Sequence, residues 1–133
     1  AEAAYDSAYT FVYSPRPGTE AAERVDDFVA PDVVAERFER LRVVVERSGL
    51  ARHEARVDRI EEVLVEGPSR KDDAVLTGRT RQNKLVHFPS EPIRPGSYAT
   101  VRVTAAAPHH LRGELVEVVR TPVHKTRLAL LVG

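Results

Sequence analysis

Six side chains in two short stretches carry the clearest chemical signal in this sequence: Arg70 and Lys71, then Arg79, Arg81, Asn83 and Lys84. Cations set among Ser69, Thr80 and Gln82 suit a polyanion. Guanidinium and ammonium groups neutralise phosphates, while hydroxyls and carboxamides reach sugar oxygens and base edges. Asp72 and Asp73 dilute that field. The same composition also makes an ordinary charged turn, and residue types alone leave both readings open. A second candidate is Arg16, inside Ser14-Pro15-Arg16-Pro17-Gly18. Two prolines and a glycine leave few free dihedrals, so this loop holds Arg16 outward, either toward an anion or simply into water.

Other chemistries find no support. Ser14, Ser69 and Ser97 are turn serines without a companion base, and neither a Gly-x-Ser-x-Gly nor a Gly-rich phosphate loop occurs. The histidines are His53, His87, His109, His110 and His124, with no i,i+4 pair and no accompanying Glu motif, so no metal site is expected. With no Cys at all, the chain supplies no disulfide framework, thiolate zinc site or cysteine-held iron–sulfur cluster. Twenty Lys and Arg balance 20 Asp and Glu, for a net charge of zero. That argues against an electrostatic grip on nucleic acid by the whole surface and leaves room for a local patch. Ala1-Glu2-Ala3-Ala4 is neither a signal peptide nor a membrane segment, and Ala1 reads as a cut within a longer chain.

These residues need elements to position them. Tyr5, Tyr9, Phe11 and Tyr13 lead into the Pro-rich loop, and residues 10–13 read as a strand. Residues 32–48 read as a helix: Pro31 and Asp32 start it, and Val34, Phe38, Leu41 and Val45 recur on one face. Gly49 either ends that helix or weakens it, with the pattern resuming toward Arg56. The mixed charges of this helix, among them the Glu36/Arg40 pair, mark a solvated face.

From Val57 the period changes to two. Val63-Leu64-Val65, residues 74–80, Leu85-Val86-His87-Phe88, residues 98–104 and Leu115-Val116-Glu117-Val118 are five strand candidates punctuated by Gly67-Pro68, Pro89 and Pro95-Gly96. The spacing predicts a mainly β fold, a small five-stranded OB-like barrel after a connector helix. Leu128-Ala129-Leu130-Leu131-Val132 is apolar enough for a further strand, yet equally suits a frayed tail.

Two groups of motifs resemble a known layout. Tyr5-Asp6-Ser7-Ala8-Tyr9-Thr10-Phe11 with Ser14-Pro15-Arg16-Pro17-Gly18-Thr19 resembles the end of the catalytic core of MiaB-type radical-SAM tRNA methylthiotransferases. Val63 to Lys71, Gly78 to Phe88, then Val101, Val103, Ala105, Leu111 and Gly113-Glu114 look like a TRAM domain, a small RNA-binding barrel. The resemblance implies residues 1–19 as a remnant of the radical-SAM core, 20–56 as a helical connector, 57–118 as the TRAM domain and 119–133 as a tail.

It further implies a longer, cytoplasmic parent enzyme that methylthiolates C2 of N6-isopentenyladenosine beside the anticodon, using two 4Fe-4S clusters and S-adenosylmethionine. Relatives of that family act instead on threonylcarbamoyl-adenosine or on a ribosomal protein, and a barrel of this kind can also serve as a non-enzymatic protein-interaction module. The fragment itself would hold no cofactor and perform no chemistry. Its partners would be the tRNA anticodon stem-loop and the missing radical-SAM and N-terminal domains, with no membrane. Lys71, Arg79, Arg81, Asn83 and Lys84 would form the RNA face, Arg70 its border, and Arg16 would touch substrate or cofactor. Glu20 and Asp58 depart from the family pattern, Asp58 where a Gly often opens the barrel. A core strand without its sheet has a free edge, so residues 5–13 are expected to be disordered or paired with another chain.

Overall fold

The computed structural model describes residues 2–123. Thr19 caps a single helical turn, α1 (Glu20–Glu23), by accepting the Ala22 amide at its hydroxyl, 3.3 Å away. A 3-10 turn (Val25–Asp27) and the long helix α2 (Pro31–Glu54) follow. Pro31 at the first turn of α2 loses no hydrogen bond there, because the first four amides of a helix have no intrahelical partner. The helix continues through Gly49 to Glu54 rather than ending there.

Five strands then close a barrel: β1 (Ile60–Pro68), β2 (Val75–Thr80), β3 (Leu85–Pro89), β4 (Tyr98–Ala106) and β5 (Leu111–Arg120). The order around the barrel is β1-β2-β3-β5-β4, and β4 returns to β1. All neighbours are antiparallel except β3 and β5, which run parallel through Val86↔Leu111 and His87↔Arg112. This arrangement bears out the OB-like barrel expected from the period-two pattern.

Alternate residues of every strand meet inside. Val63, Val65, Leu76, Val86, Phe88, Ala99, Val101, Val103 and Leu111 are fully buried and form one core. The barrel is too narrow for a side chain at every inward position. At Gly113 a Cβ would collide with Val101 Cγ1 and lie 2.6 Å from the Arg102 carbonyl oxygen. Asp58, which departs from the family pattern of Gly, has φ of +67°, the left-handed backbone that Gly adopts freely and Asp tolerates. Its amide donates to Val103 O at 2.9 Å, which ties the helix-to-barrel connection to β4.

Helix α2 docks on the β4–β5 loop. The buried His53 ring bonds Ala107 O through Nδ1 at 2.6 Å, and since a carbonyl only accepts, Nδ1 carries the proton. Gly49 lets the two backbones approach, because a Cβ there would sit 2.9 Å from Pro108 O.

The strand expected at residues 10–13 is corrected, and the start of the segment is anchored. No strand forms at residues 10–13, where the chain has no partner strand among the described residues. Nor is the start of this segment loose: Ser48 Oγ donates to Tyr5 O at 2.7 Å and Arg52 Nε to Ala4 O at 3.0 Å. Val119 and Arg120, placed in the tail by sequence, belong to β5. His124 and the strand candidate at 128–132 lie outside the described residues.

Candidate nucleic-acid interface

The outer face of β2, β3 and β5, with the β1–β2 and β4–β5 loops, lines an open groove of about 1110 Å³. Period-two alternation builds it. Leu76, Gly78, Thr80, Val86 and Phe88 point inward, so Thr77, Arg79, Leu85 and His87 point out. Cross-strand register sets Thr77 opposite His87, and His87 opposite Arg112. A row of polar and cationic groups therefore crosses three strands at the ordinary ~4.8 Å strand spacing.

Of the residues expected at an RNA face, the groove gathers Arg70, Lys71 and Arg79. Arg70 and Lys71 sit in the β1–β2 loop, exposed, with side chains in no ion pair among the described residues. Arg79 is held in place: its Nε donates to Glu66 Oε1 at 2.9 Å and its Nη1 to Asn83 Oδ1 at 3.3 Å. The remaining three do not line it. Arg81 turns toward β1 and pairs with Glu62 at 2.8 Å. Asn83 occupies a left-handed turn position, φ +59°, which its short polar side chain tolerates.

Lys84 is the clear correction. It is 5% exposed, and its ammonium donates to Asp6 Oδ1 at 2.8 Å. The turn between β2 and β3, fixed by Thr80 Oγ1 accepting the Lys84 amide at 3.2 Å, aims this side chain under the N-terminal segment rather than into the groove. Hydrogen bonding to Lys84 and its positive charge hold the Asp6 carboxyl below its ordinary value. Lys84 thus ties residues 2–13 to the barrel and offers no exposed cation.

Residue patterns missed His87, His110, Arg112 and Thr77, which line the same groove. His87 Nδ1 lies 3.1 Å from Thr77 Oγ1, and the His87 and His110 rings pack edge to face with centroids 5.2 Å apart. Burial, then the nearby Arg112, pushes His87 below its ordinary value. Burial, then His87 and Arg112, does the same to His110. Both rings are therefore neutral at pH 7. Alternation alone marks His87 as outward; nothing local brings Arg112 and His110 beside it, because the β3–β5 pairing is nonlocal. Arg70, Lys71, Arg79 and Arg112 outnumber the acids of the groove, Glu66 and Glu114. A neutral chain thus has a locally positive cleft. No group of three or more His, Cys, Asp or Glu able to hold a metal occurs among the described residues.

Arg16 lies in an exposed turn closed by Thr19, whose amide and hydroxyl both donate to Arg16 O, at 3.2 and 2.8 Å. Nearby, Val12, Tyr13, Pro15, Phe28, Val29 and Val34 line a second, largely apolar hollow of about 380 Å³.

A closed five-stranded barrel in the order β1-β2-β3-β5-β4 is the OB-like architecture, here with a basic outer cleft. Residues 54–116 match the TRAM domain family, and the barrel is a TRAM domain. Over 122 residues the chain is 50% identical to a tRNA-2-methylthio-N(6)-dimethylallyladenosine synthase of Acidothermus cellulolyticus, covering 90% of this chain and 24% of that protein. Proteins of the same name from Burkholderia cenocepacia and Burkholderia lata are each 44% identical over 119 residues, 86% of this chain and 26% of theirs. The chain spans about a quarter of the length of the curated relatives it matches. The resemblance to the MiaB-type methylthiotransferases is borne out.

Proposed function

We propose that this chain is the RNA-holding portion of a longer tRNA methylthiotransferase, and that its groove takes the anticodon stem-loop of a tRNA bearing N6-isopentenyladenosine. The observation that carries the reading is the set of cations, Arg70, Lys71, Arg79 and Arg112, around one open groove. That groove lies on the strand-2/strand-3 face and the adjoining loops, the surface by which OB-type barrels hold oligonucleotides. The names of the relatives supply the tRNA and the modified adenosine.

The chemistry belongs to the rest of the longer protein. Having no Cys, the chain contributes no thiolate to an iron–sulfur cluster, so any cluster is held by residues outside it. The apolar hollow around Tyr13 and Phe28, with the exposed Tyr9 and Phe11, then faces that remainder, and the exposed Arg16, next in sequence to the lining residue Pro15, would meet substrate or cofactor there. The relatives' fourfold greater length supports this occupant. What the barrel supplies is position, which matters because a misplaced base forfeits the proximity advantage.

The test is a salt titration with a tRNA anticodon stem-loop. Arg70→Ala with Lys71→Ala should weaken binding and lower the slope of log K against log salt by roughly two units, about one per lost phosphate contact. Arg37→Ala with Arg40→Ala on α2 should leave the slope unchanged, since those exposed side chains lie outside the groove. Equal effects from the two doubles would reject this face.

A further inference from the structure

The cations explain attraction to phosphate, but not why two imidazoles stand in the middle of the groove. We propose that His87 and His110, with Thr77 and Arg112, form a seat for one unpaired nucleotide of the bound RNA, its base against the imidazoles and its phosphate at Arg112. This rests on the reading that the groove binds RNA.

Three observations lead there. Both rings line the groove and are only partly buried, so aromatic surface remains for a ligand. Each ring is braced: the imidazoles pack on each other at 5.2 Å, and His87 bonds Thr77 at 3.1 Å. A braced ring loses little rotamer freedom when a base lands on it, and base–aromatic stacking tolerates any base because each has a π-face. Finally, Arg112 stands next to His87 across the parallel β3–β5 ladder, with its side chain in no ion pair among the described residues. A guanidinium one strand away from a stacking surface sets the phosphate beside its own base.

Metal binding is a poor alternative for the pair, since the described residues hold no group of three or more His, Cys, Asp or Glu placed to bind a metal. The neutrality of both rings separates their contribution from that of the cations. They add contact surface, not charge, and so leave the salt dependence alone. The ligand must be single-stranded, because in a duplex the base faces are already covered by their neighbours.

The experiment uses the whole chain, a short oligoadenylate, and the duplex of that oligoadenylate with oligouridylate. His87→Ala with His110→Ala should weaken the single strand about tenfold, the scale of one lost stack, with the salt slope unchanged and duplex affinity intact. His87→Phe with His110→Phe keeps the rings and should retain most of the affinity, which also guards against a folding artefact. Arg70→Ala with Lys71→Ala should weaken both ligands and flatten the slope. If the Ala pair leaves single-strand affinity within about twofold while the cation pair weakens both ligands, the nucleotide seat is wrong and the groove reading stands. An equal loss in the Phe and Ala pairs overturns stacking. If the cation pair is also without effect, the groove reading itself fails.

Discussion

The barrel and the segment before α2 are built from similar residues and meet opposite fates. β3 and β4 alternate buried and outward-facing residues, and the run Tyr9-Thr10-Phe11-Val12-Tyr13 alternates aromatic residues with β-branched ones. In the barrel each strand has two neighbours, its backbone groups are paired, and its inward side chains vanish from solvent. In the segment Tyr9 is 93% exposed and Phe11 84% exposed, and no strand forms. Alternation states only which face a residue would take. The strand itself needs partners, because a lone extended chain gains neither ladder hydrogen bonds nor burial to offset its ordering entropy.

Truncation should separate the two regions most sharply. Phe88→Ala removes a fully buried ring and should cost about 3–5 kcal/mol, enough to unfold much of a small barrel. Tyr9→Ala with Phe11→Ala should stay within about 0.5 kcal/mol in this chain, since both are exposed. Urea unfolding followed by circular dichroism reads both. A large loss in the second variant would mean that the segment packs on something and that the contrast is false.

The Lys84–Asp6 pair joins the two regions and should respond asymmetrically. Asp6→Asn leaves a buried ammonium without its counter-charge and should cost about 1–2 kcal/mol, discounted because Asp6 itself is largely exposed. Lys84→Met keeps the volume, lets the exposed Asp6 hydrate, and should change stability by less than about 1 kcal/mol. The double variant should then match Lys84→Met alone. Additive losses in this cycle would show that the two groups do not act on each other.

The smallest effect is in pH. Burial holds His53, His87 and His110 below their ordinary value of 6.5 in the folded chain. The unfolded chain therefore takes up protons first. Stability should be flat above about pH 6.5 and fall as the pH drops below it, levelling once the folded histidines have titrated too. For His53 the opposing neighbours are Lys84 and His109, which disfavour its charge, and Asp6, which favours it. His53→Gln should remove part of that acid limb in a pH series of urea midpoints, while Tyr9→Ala should leave it intact. Stability that rises on acidification would contradict the buried, neutral assignment.

Much of the barrel was legible in the residues. The five apolar runs, their turn residues and the change from helical to two-residue period all rest on local rules, and local rules survive folding where each strand finds neighbours. Helix α2 was equally legible, though Gly49 left its end open. Gly49 costs α2 about 0.5–1 kcal/mol of helix propensity, and its missing Cβ permits the close contact with Pro108, which no spacing announces. The left-handed backbone of Asp58 gives a physical reason for the Gly common at that position.

The chain alone thus determined which faces are wet, where it turns, and that cations cluster near the β1–β2 loop. Tertiary structure decided which of those cations line the groove. Arg70, Lys71 and Arg79 reach the groove, Arg81 answers to Glu62, and Lys84 is spent on Asp6, 78 positions away. It alone also set His110 and Arg112 beside His87, since the parallel β3–β5 ladder joins strands separated by β4 in sequence. The reason is one of range. Periodicity and turn chemistry act over a few residues, whereas the neighbour that neutralises a charge or braces a ring is chosen by barrel closure, which no local pattern encodes.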